Sequence, residues 1–246
     1  MVCPKRNTDD VHGLNISLCS VVWDWSFNIW TNGNWYLSFS AKRNVRIGNF
    51  TALEVTTPGR ICLFGEHQDY LGLPVIATAI SLRASIKGIR REDDQIIIRM
   101  PDIDRTENFS LGDGDYKGSR DYFKSGLNIA KREGLVFSYG FECELKSDIP
   151  IQAGTSSSSA IVVSWLHFLS LMADNKTKWS RKKLGELAYM AEVEEFNEPG
   201  GMMDQYSTAI GSTVYLESEP KIRVEKINTS LGSFVLGDSM EKKDTL

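Results

Sequence analysis

Three short stretches of this chain concentrate residues that do chemistry. The first is Ala153-Gly154-Thr155-Ser156-Ser157-Ser158-Ser159-Ala160, a glycine and a run of hydroxyl side chains that opens straight into an apolar segment. The first turn of a helix has unpaired backbone N–H groups and carries the positive end of the dipole. Small residues let an anion approach those amides, and hydroxyls add donors or metal ligands. The stretch therefore reads as a phosphate cradle; the plain alternative is a serine-rich loop ending in an N-cap. It is not a Walker A loop, because G-x-x-x-x-G-K-[ST] does not occur in the chain.

The second stretch is Pro58-Gly59-Arg60-Ile61-Cys62-Leu63-Phe64-Gly65-Glu66-His67-Gln68-Asp69-Tyr70-Leu71-Gly72. A strand ends in a glycine, and Glu, His and Asp then crowd into four positions. Carboxylates accept hydrogen bonds from vicinal hydroxyls, so the cluster suits a polyhydroxylated ligand. A metal site and a solvated turn are the alternatives. The third stretch runs from Ala191 through Glu192, Glu194, Glu195 and Glu198 to Pro199-Gly200-Gly201-Met202-Met203-Asp204-Gln205. Carboxylates at a helix C-terminus are electrostatically unfavourable, a cost that falls if one of them holds a cation. Asp204 begins the next helix, where a carboxylate serves as an N-cap, as a general base or as an electrostatic anchor facing phosphate.

These residues need elements to position them, and the periodicities point to a mixed α and β chain. Strands are expected at 53–57, 61–64, 74–80, 82–90, 95–100, 139–145, 212–216, 222–227 and 233–236. Helices are expected at 118–133, 156–172, 182–196 and 204–210. The helix over 182–196 places Leu184, Leu187, Ala188 and Ala191 on one face. The first fifty residues differ from the rest. They hold Trp23, Trp25, Trp30 and Trp35, are rich in Asn and Ser, and sustain no pattern. They read as an extension, 1–50, outside the main domain.

Composition narrows the class. A chain of 246 residues is long enough to bury a core without disulfides or metal. A net charge of −4 excludes a basic nucleic-acid coat and gives no attraction to an anionic membrane. The longest apolar run, 160–173, is too short to cross a bilayer. Cys3, Cys19, Cys62 and Cys143 show no metal spacing and read as free thiols of a cytoplasmic protein. The apolar stretch at 14–23 has no A-x-A-like site after it, so no secretory leader is expected. Nothing in the sequence specifies an oligomeric state.

Taken together, the three stretches resemble the GHMP kinases, the family of galactokinase, homoserine kinase, mevalonate kinase and phosphomevalonate kinase. P-G-R-x-x-L-x-G-E-H-x-D-Y at 58–70 looks like the galactokinase signature, since the mevalonate kinase form lacks the Asp-Tyr ending. P-x-x-A-G-x-S-S-S at 150–158 looks like the family's ATP-phosphate motif, and M-D-Q at 203–205 like the galactokinase acidic segment. The resemblance covers roughly 53–246. It implies an α+β fold: an N-terminal domain of the ribosomal-protein-S5 domain 2-like type over 51–228, then at 229–246 the start of a ferredoxin-like C-terminal domain that is cut short. It also implies ATP-dependent phosphorylation of a small sugar at the anomeric hydroxyl, with Mg²⁺. Asp204 matches the catalytic base, and Arg60 the arginine that stabilises it and the transferring phosphoryl group. Glu66, His67, Asp69 and Tyr70 match the sugar-binding segment. Gly154, Thr155, Ser156, Ser157, Ser158 and Ser159 match the ATP loop, and Ser158 with Glu192 the metal ligands.

The chain departs from the pattern in places. Gln68 replaces a threonine, Leu71 and Leu73 replace smaller or polar residues, Thr155 replaces a leucine, and Gly200 stands where cysteine is common. Ser119 occupies the position of a tryptophan near the adenine. A different sugar, such as a uronic acid, fucose, arabinose or an N-acetylated hexosamine, fits these changes. No glycine-rich third motif follows Gly201. Two other readings therefore accompany the sugar kinase: a catalytically silent or regulatory galactokinase-like protein that binds sugar or nucleotide, and a GHMP kinase for another small hydroxyl substrate such as mevalonate.

Overall fold

The computed structural model describes residues 16–19, 45–47, 50–118, 120–151 and 153–237, with side chains from residue 52 onward. Ten strands and four α-helices follow one another along these segments. The strands are β1 (Ile16–Cys19), β2 (Val45–Ile47), β3 (Phe50–Phe64), β4 (Val75–Arg90), β5 (Gln95–Met100), β6 (Arg105–Ser110), β7 (Phe141–Ser147), β8 (Thr213–Glu217), β9 (Arg223–Lys226) and β10 (Phe234–Gly237). The helices are α1 (Tyr122–Arg132), α2 (Ser157–Met172), α3 (Arg181–Glu192) and α4 (Met203–Ile210).

The main sheet runs β2-β3-β4-β7-β5-β6, with β8 on β4 and β9 on β8. Its pairs are antiparallel except for β5 with β7. One edge of β4 is shared: residues 84–90 pair with β7, and residues 75–78 pair with β8. Within 1–50, β2 extends the sheet from β3, and β1 forms a separate two-stranded pair with β10. The other residues of that segment, with its four tryptophans, lie outside the described residues, as do Ser119 and 238–246.

Two expected breaks are absent. Strands 53–57 and 61–64 are one strand, and so are 74–80 and 82–90. The Pro58-Gly59 pair reads as a terminator, yet it produces only a register shift between Pro58 and Arg60 that bends the β3–β4 ribbon. Strand β6 has no sequence signal, because Arg105-Thr-Glu-Asn-Phe-Ser is polar and only Phe109 reaches the core. Helix α1 starts at Tyr122 rather than 118, since Arg120 sits in the left-handed region at φ 70° and cannot continue a helix. The helix expected to reach 196 ends at Glu192, followed by a 3-10 turn at Glu194–Phe196.

The core lies between the sheet and the helices. α2 is apolar nearly all round, and Trp165, Leu166, Phe168 and Leu169 are fully buried. The Trp165 and Phe168 rings stack at 5.9 Å, and Phe141 from β7 meets both edge-on. Trp165 Nε1 donates to the Phe123 carbonyl at 2.9 Å, which ties α2 to α1. This buried helix aims its serine-rich N-terminus at the bend of β3. Among the described residues no helix is long and apolar enough to cross a membrane.

Candidate active site

The bend in β3 delivers Arg60. Its side chain is 5% exposed and makes three hydrogen bonds to two partners. Nε and Nη2 donate to Asp204 Oδ1 at 2.8 and 2.5 Å, and Nη1 donates to the Gly154 carbonyl at 2.6 Å. Glu66 Oε1 stands 3.9 Å from Nη2. The backbone adds a fourth tie, the Arg60 N–H to the Thr155 carbonyl at 3.1 Å. Gly59 makes this approach feasible, because a Cβ there would lie 2.9 Å from the Thr155 oxygen. One arginine thus joins the serine-rich loop to the first turn of α4. Charge-assisted contacts from a planar fork give such a clamp both strength and direction.

The serine-rich loop reaches α2 through Gly154 at φ 69° and Ser156 at φ 56°. Ser156 is the N-cap residue, yet its hydroxyl caps nothing, so the plain capping alternative is not realised. Its Oγ is buried without a partner among the described residues. The first-turn amides of α2 are therefore not occupied by a serine side chain, which leaves them to an anion. Thr155 and Ser159 are buried, whereas Gly154 and Ser158 are exposed.

Opposite that turn, α3 ends on Glu192, which is 7% exposed. The Ser158 and Ser159 hydroxyls lie beside its carboxylate and favour its charged form. Gln205 Nε2 donates to Oε2 at 2.7 Å. Burial pushes the Glu192 carboxyl above its ordinary value, the polar side chains of Ser158, Ser159 and Gln205 pull it back, and the charge on Asp204 pushes it up again. Beside it, burial and the charges of Glu192 and Glu198 hold the Tyr122 hydroxyl well above the usual tyrosine range. Arg120 Nε donates to Glu198 Oε1 at 2.7 Å across this flank.

Asp204 lies in the first turn of α4, two residues past the N-cap residue Met202. Its carboxylate faces Arg60 rather than the helix amides, so the N-cap alternative is not realised here either. One of those amides is met by Asp69 instead, whose Oδ2 accepts from the Met203 N–H at 2.8 Å. Asp69 sits in a 3-10 turn and is 8% exposed. Its carboxylate packs so tightly on Gly201 that a Cβ there would lie 1.8 Å from Oδ2. The other members of the expected sugar-binding segment face outward. His67, at φ 59°, has a side chain 67% exposed, Glu66 is 45% exposed, and Tyr70 is exposed.

The expected residues therefore form two linked groups and a rim. Arg60, Asp204, Gly154 and Glu66 make the first group. Ser158, Ser159 and Glu192 make the second, with Gln205 joining it through the α4 backbone next to Asp204. His67 and Tyr70 lie on the rim. Gln205 belongs to the M-D-Q stretch, but sequence reasoning assigns it no role. A signal exists, because a glutamine among the apolar positions of a short helix must find a polar partner when buried. Cys62 is no nucleophile: burial and Glu66 push its thiol up to about 11.

The site fits a small hard cation held partly by a ligand. Among the described residues no group of three or more His, Cys, Asp or Glu is placed to hold a metal. Mg²⁺ characteristically takes one or two carboxylates and completes its shell with phosphate oxygens and water. A single buried carboxylate beside a phosphate cradle matches that demand.

Residues 121–212 match the model for the N-terminal domain of GHMP kinases, and residues 47–87 match the galactokinase galactose-binding signature. The galactokinase of Pyrococcus furiosus is 29% identical over 171 residues, which cover 68% of this chain and 47% of that protein. The mevalonate kinase of Methanocaldococcus jannaschii is 28% identical over 149 residues, 57% of this chain and 46% of that protein. The chain thus spans about half the length of the curated relatives it matches. Two crystal structures share the fold. Methanococcus jannaschii mevalonate kinase superposes with a TM-score of 0.64 at 23% identity, over 75% of this chain and 57% of that one. Lactococcus lactis galactokinase complexed with galactose gives 0.61 at 24% identity, over 72% and 47%. Residues 121–212 are thus similar to the N-terminal domain of the GHMP kinases, and residues 47–87 ahead of them to the galactose-binding signature of the galactokinases.

Proposed function

We propose that this chain supplies the ATP- and sugar-binding domain of a sugar kinase acting at the anomeric hydroxyl. The observation that carries the reading is the Arg60 clamp, which holds Asp204 and the Gly154 carbonyl on one guanidinium. A general base and a phosphate loop fixed by the same cation are positioned for phosphoryl transfer, where catalysis is mainly placement and charge neutralisation. Residues 51–228 form this domain in our reading, and 229–246 open a second one.

In this mechanism the Asp204 carboxylate takes the proton of the sugar hydroxyl. The freed oxygen forms a bond to the γ-phosphorus of ATP, the bond from that phosphorus to the bridging oxygen breaks, and ADP leaves with the electron pair. Arg60 orients Asp204 and offsets charge on the phosphoryl oxygens. The amides and hydroxyls of Gly154, Thr155, Ser156, Ser157, Ser158 and Ser159 hold the phosphate chain. Ser158 and Glu192 would hold Mg²⁺, which supplies neutralisation of phosphate charge when bound. Glu66 beside Arg60, with His67 and Tyr70 at the rim, takes the sugar hydroxyls. Asp69 contributes the carboxylate oxygen not bonded to Met203.

Likeness to mevalonate kinases at comparable identity favours one second reading, a different small hydroxyl substrate at the same site. The test is phosphorylation from ATP across neutral sugars, uronic acids and mevalonate, beside nucleotide binding by calorimetry. Asp204→Asn is expected to abolish turnover and spare nucleotide binding. Retained turnover in that variant would remove Asp204 from the role of base, and absence of nucleotide binding by the parent would overturn the kinase reading.

A further inference from the structure

Phosphoryl transfer as described gives Gln205 nothing to do, yet the side chain is 3% exposed and sits between the two halves of the site. It follows Asp204 in the first turn of α4. That turn is pinned: Asp69 accepts from the Met203 N–H, Ser207 Oγ donates to the Met203 carbonyl at 2.6 Å, and Thr208 Oγ1 donates to the Asp204 carbonyl at 2.7 Å. The orientation of the Gln205 amide follows from its partner. The Glu192 carboxylate only accepts, so the nitrogen must face it. The second contact of that nitrogen, to Ser159 Oγ, is long at 3.4 Å.

Two features argue against a merely structural side chain. First, Gln205 Oε1 is buried with no partner among the described residues. An unpaired buried acceptor is a stability cost that Leu or Met at the same place avoids. Such local departures from good packing chemistry gather at functional sites. Second, Gln205 supplies the short hydrogen bond to Glu192, and the other polar groups beside that carboxylate are the Ser158 and Ser159 hydroxyls of the phosphate loop. Ser158 is exposed, and a hydroxyl there that turns to a ligand stops serving the carboxylate. Gln205 is buried and bonded at 2.7 Å, so it is not diverted in this way. Ser159 is buried as well, but the hydrogen bond that holds Glu192 is the one from the amide.

We infer that Gln205 is a positioning residue for the metal: by holding Glu192 Oε2 it presents the other carboxylate oxygen to a divalent cation at the phosphate loop. The inference rests on the kinase reading. Partners that orient a metal-ligating side chain are worth about 10- to 100-fold in metal affinity.

The experiment is calorimetric binding of a non-hydrolysable ATP analogue to the 246-residue chain, in Mg²⁺ and in EDTA. The parent is expected to bind more tightly in Mg²⁺. Gln205→Met keeps shape and loses the donor. It should bind as the parent does in EDTA and lose about 10- to 100-fold of the Mg²⁺-dependent gain. If Gln205→Met does not fold, Gln205→Asn, whose amide stops one methylene short, makes the same test. In a Glu192→Gln background Gln205→Met should have no further effect on the gain, because the amide acts through that carboxylate. A full Mg²⁺-dependent gain in Gln205→Met overturns the inference, as does an equal loss in EDTA and in Mg²⁺. A parent that binds the analogue without any Mg²⁺ dependence overturns it while leaving nucleotide binding intact. A parent that binds no analogue overturns the kinase reading and the inference with it.

Discussion

Replacing Gly201 by Ala tests whether Asp69 is the anchor of α4. The added Cβ would stand 1.8 Å from Asp69 Oδ2, 2.0 Å from its Cγ and 2.4 Å from Oδ1. Carbon and oxygen pack no closer than roughly 3.3 Å even in weak C–H···O contacts, so the carboxylate must retreat by more than an ångström. Its hydrogen bond to the Met203 N–H, 2.8 Å long, then breaks. Losing a bond to a charged acceptor costs about 1.5–3 kcal/mol. Forcing atoms into a packed site costs about 1–3 kcal/mol more. The sum, roughly 2.5–6 kcal/mol, is a large part of the 5–15 kcal/mol that ordinarily separates folded from unfolded chains. For a chain of this size it lowers Tm by roughly 5–24 °C. The assay is urea and thermal unfolding of Gly201→Ala, Asp69→Ala and the double variant. Asp69→Ala alone strands one buried N–H, about 1–3 kcal/mol. With the carboxylate gone, the added methyl has room, so the double variant should be hardly worse than Asp69→Ala. Strict additivity of the two changes, or a neutral Gly201→Ala, would refute the reasoning.

Two further outcomes follow from the same geometry. Arg60→Met removes the donors of Asp204 and the Gly154 carbonyl and should lower stability by about 2–4 kcal/mol, below the figure for a fully buried pair because the Asp204 side chain is 32% exposed; an unchanged urea midpoint would show that the clamp carries no stability. Glu192→Gln should stabilise the metal-free chain at neutral pH. The Glu192 carboxyl is raised by burial above its ordinary value of 4.5, so the folded state binds its proton more tightly than the unfolded state does. Stability of the parent therefore falls as pH rises from about that value through the folded pKa, and the advantage of Gln vanishes below it. A pH-independent difference between the two chains would contradict this.

Much of the architecture was legible because the strongest patterns are local. β5 at Gln95–Met100 has the expected boundaries, and α2 and α4 begin within one residue of expectation. These segments carry their own signals, an apolar run and a glycine on either side of a short helix. The errors have a common cause in long-range pairing. Pro58-Gly59 reads locally as a stop, but β4 pairs on both sides of it and carries the strand through. The polar β6 is held by β5 in register, Gln95 opposite Ser110 through Met100 opposite Arg105, and nothing in its own six residues announces that. In the site, residue types and spacing named the participants, but direction was not legible. Asp69 and His67 sit two apart in one motif, yet one carboxylate turns inward to α4 and the imidazole faces solvent.

That difference in direction explains how a flexible-looking motif makes a rigid site. The turn after β3 has no core of its own, so its outward residues are free to meet a ligand. Its one buried carboxylate fixes it to the start of α4. The next residues of α4, Asp204 and Gln205, reach in turn to Arg60 and to Glu192. Each hydrogen bond thus places the next group: the 3-10 turn sets α4, α4 sets the candidate base and the amide, and the amide sets the candidate metal ligand. The arginine closes the circuit, since it rises from the same β3 whose far end leads into Asp69. A perturbation at Gly201 should therefore reach Glu192 without touching it, through the position of α4. Metal-dependent nucleotide affinity in Gly201→Ala, measured well below its unfolding midpoint, is expected to fall along with that of Gln205→Met. An unimpaired gain in that variant would mean that α4 is held in place by its packing alone.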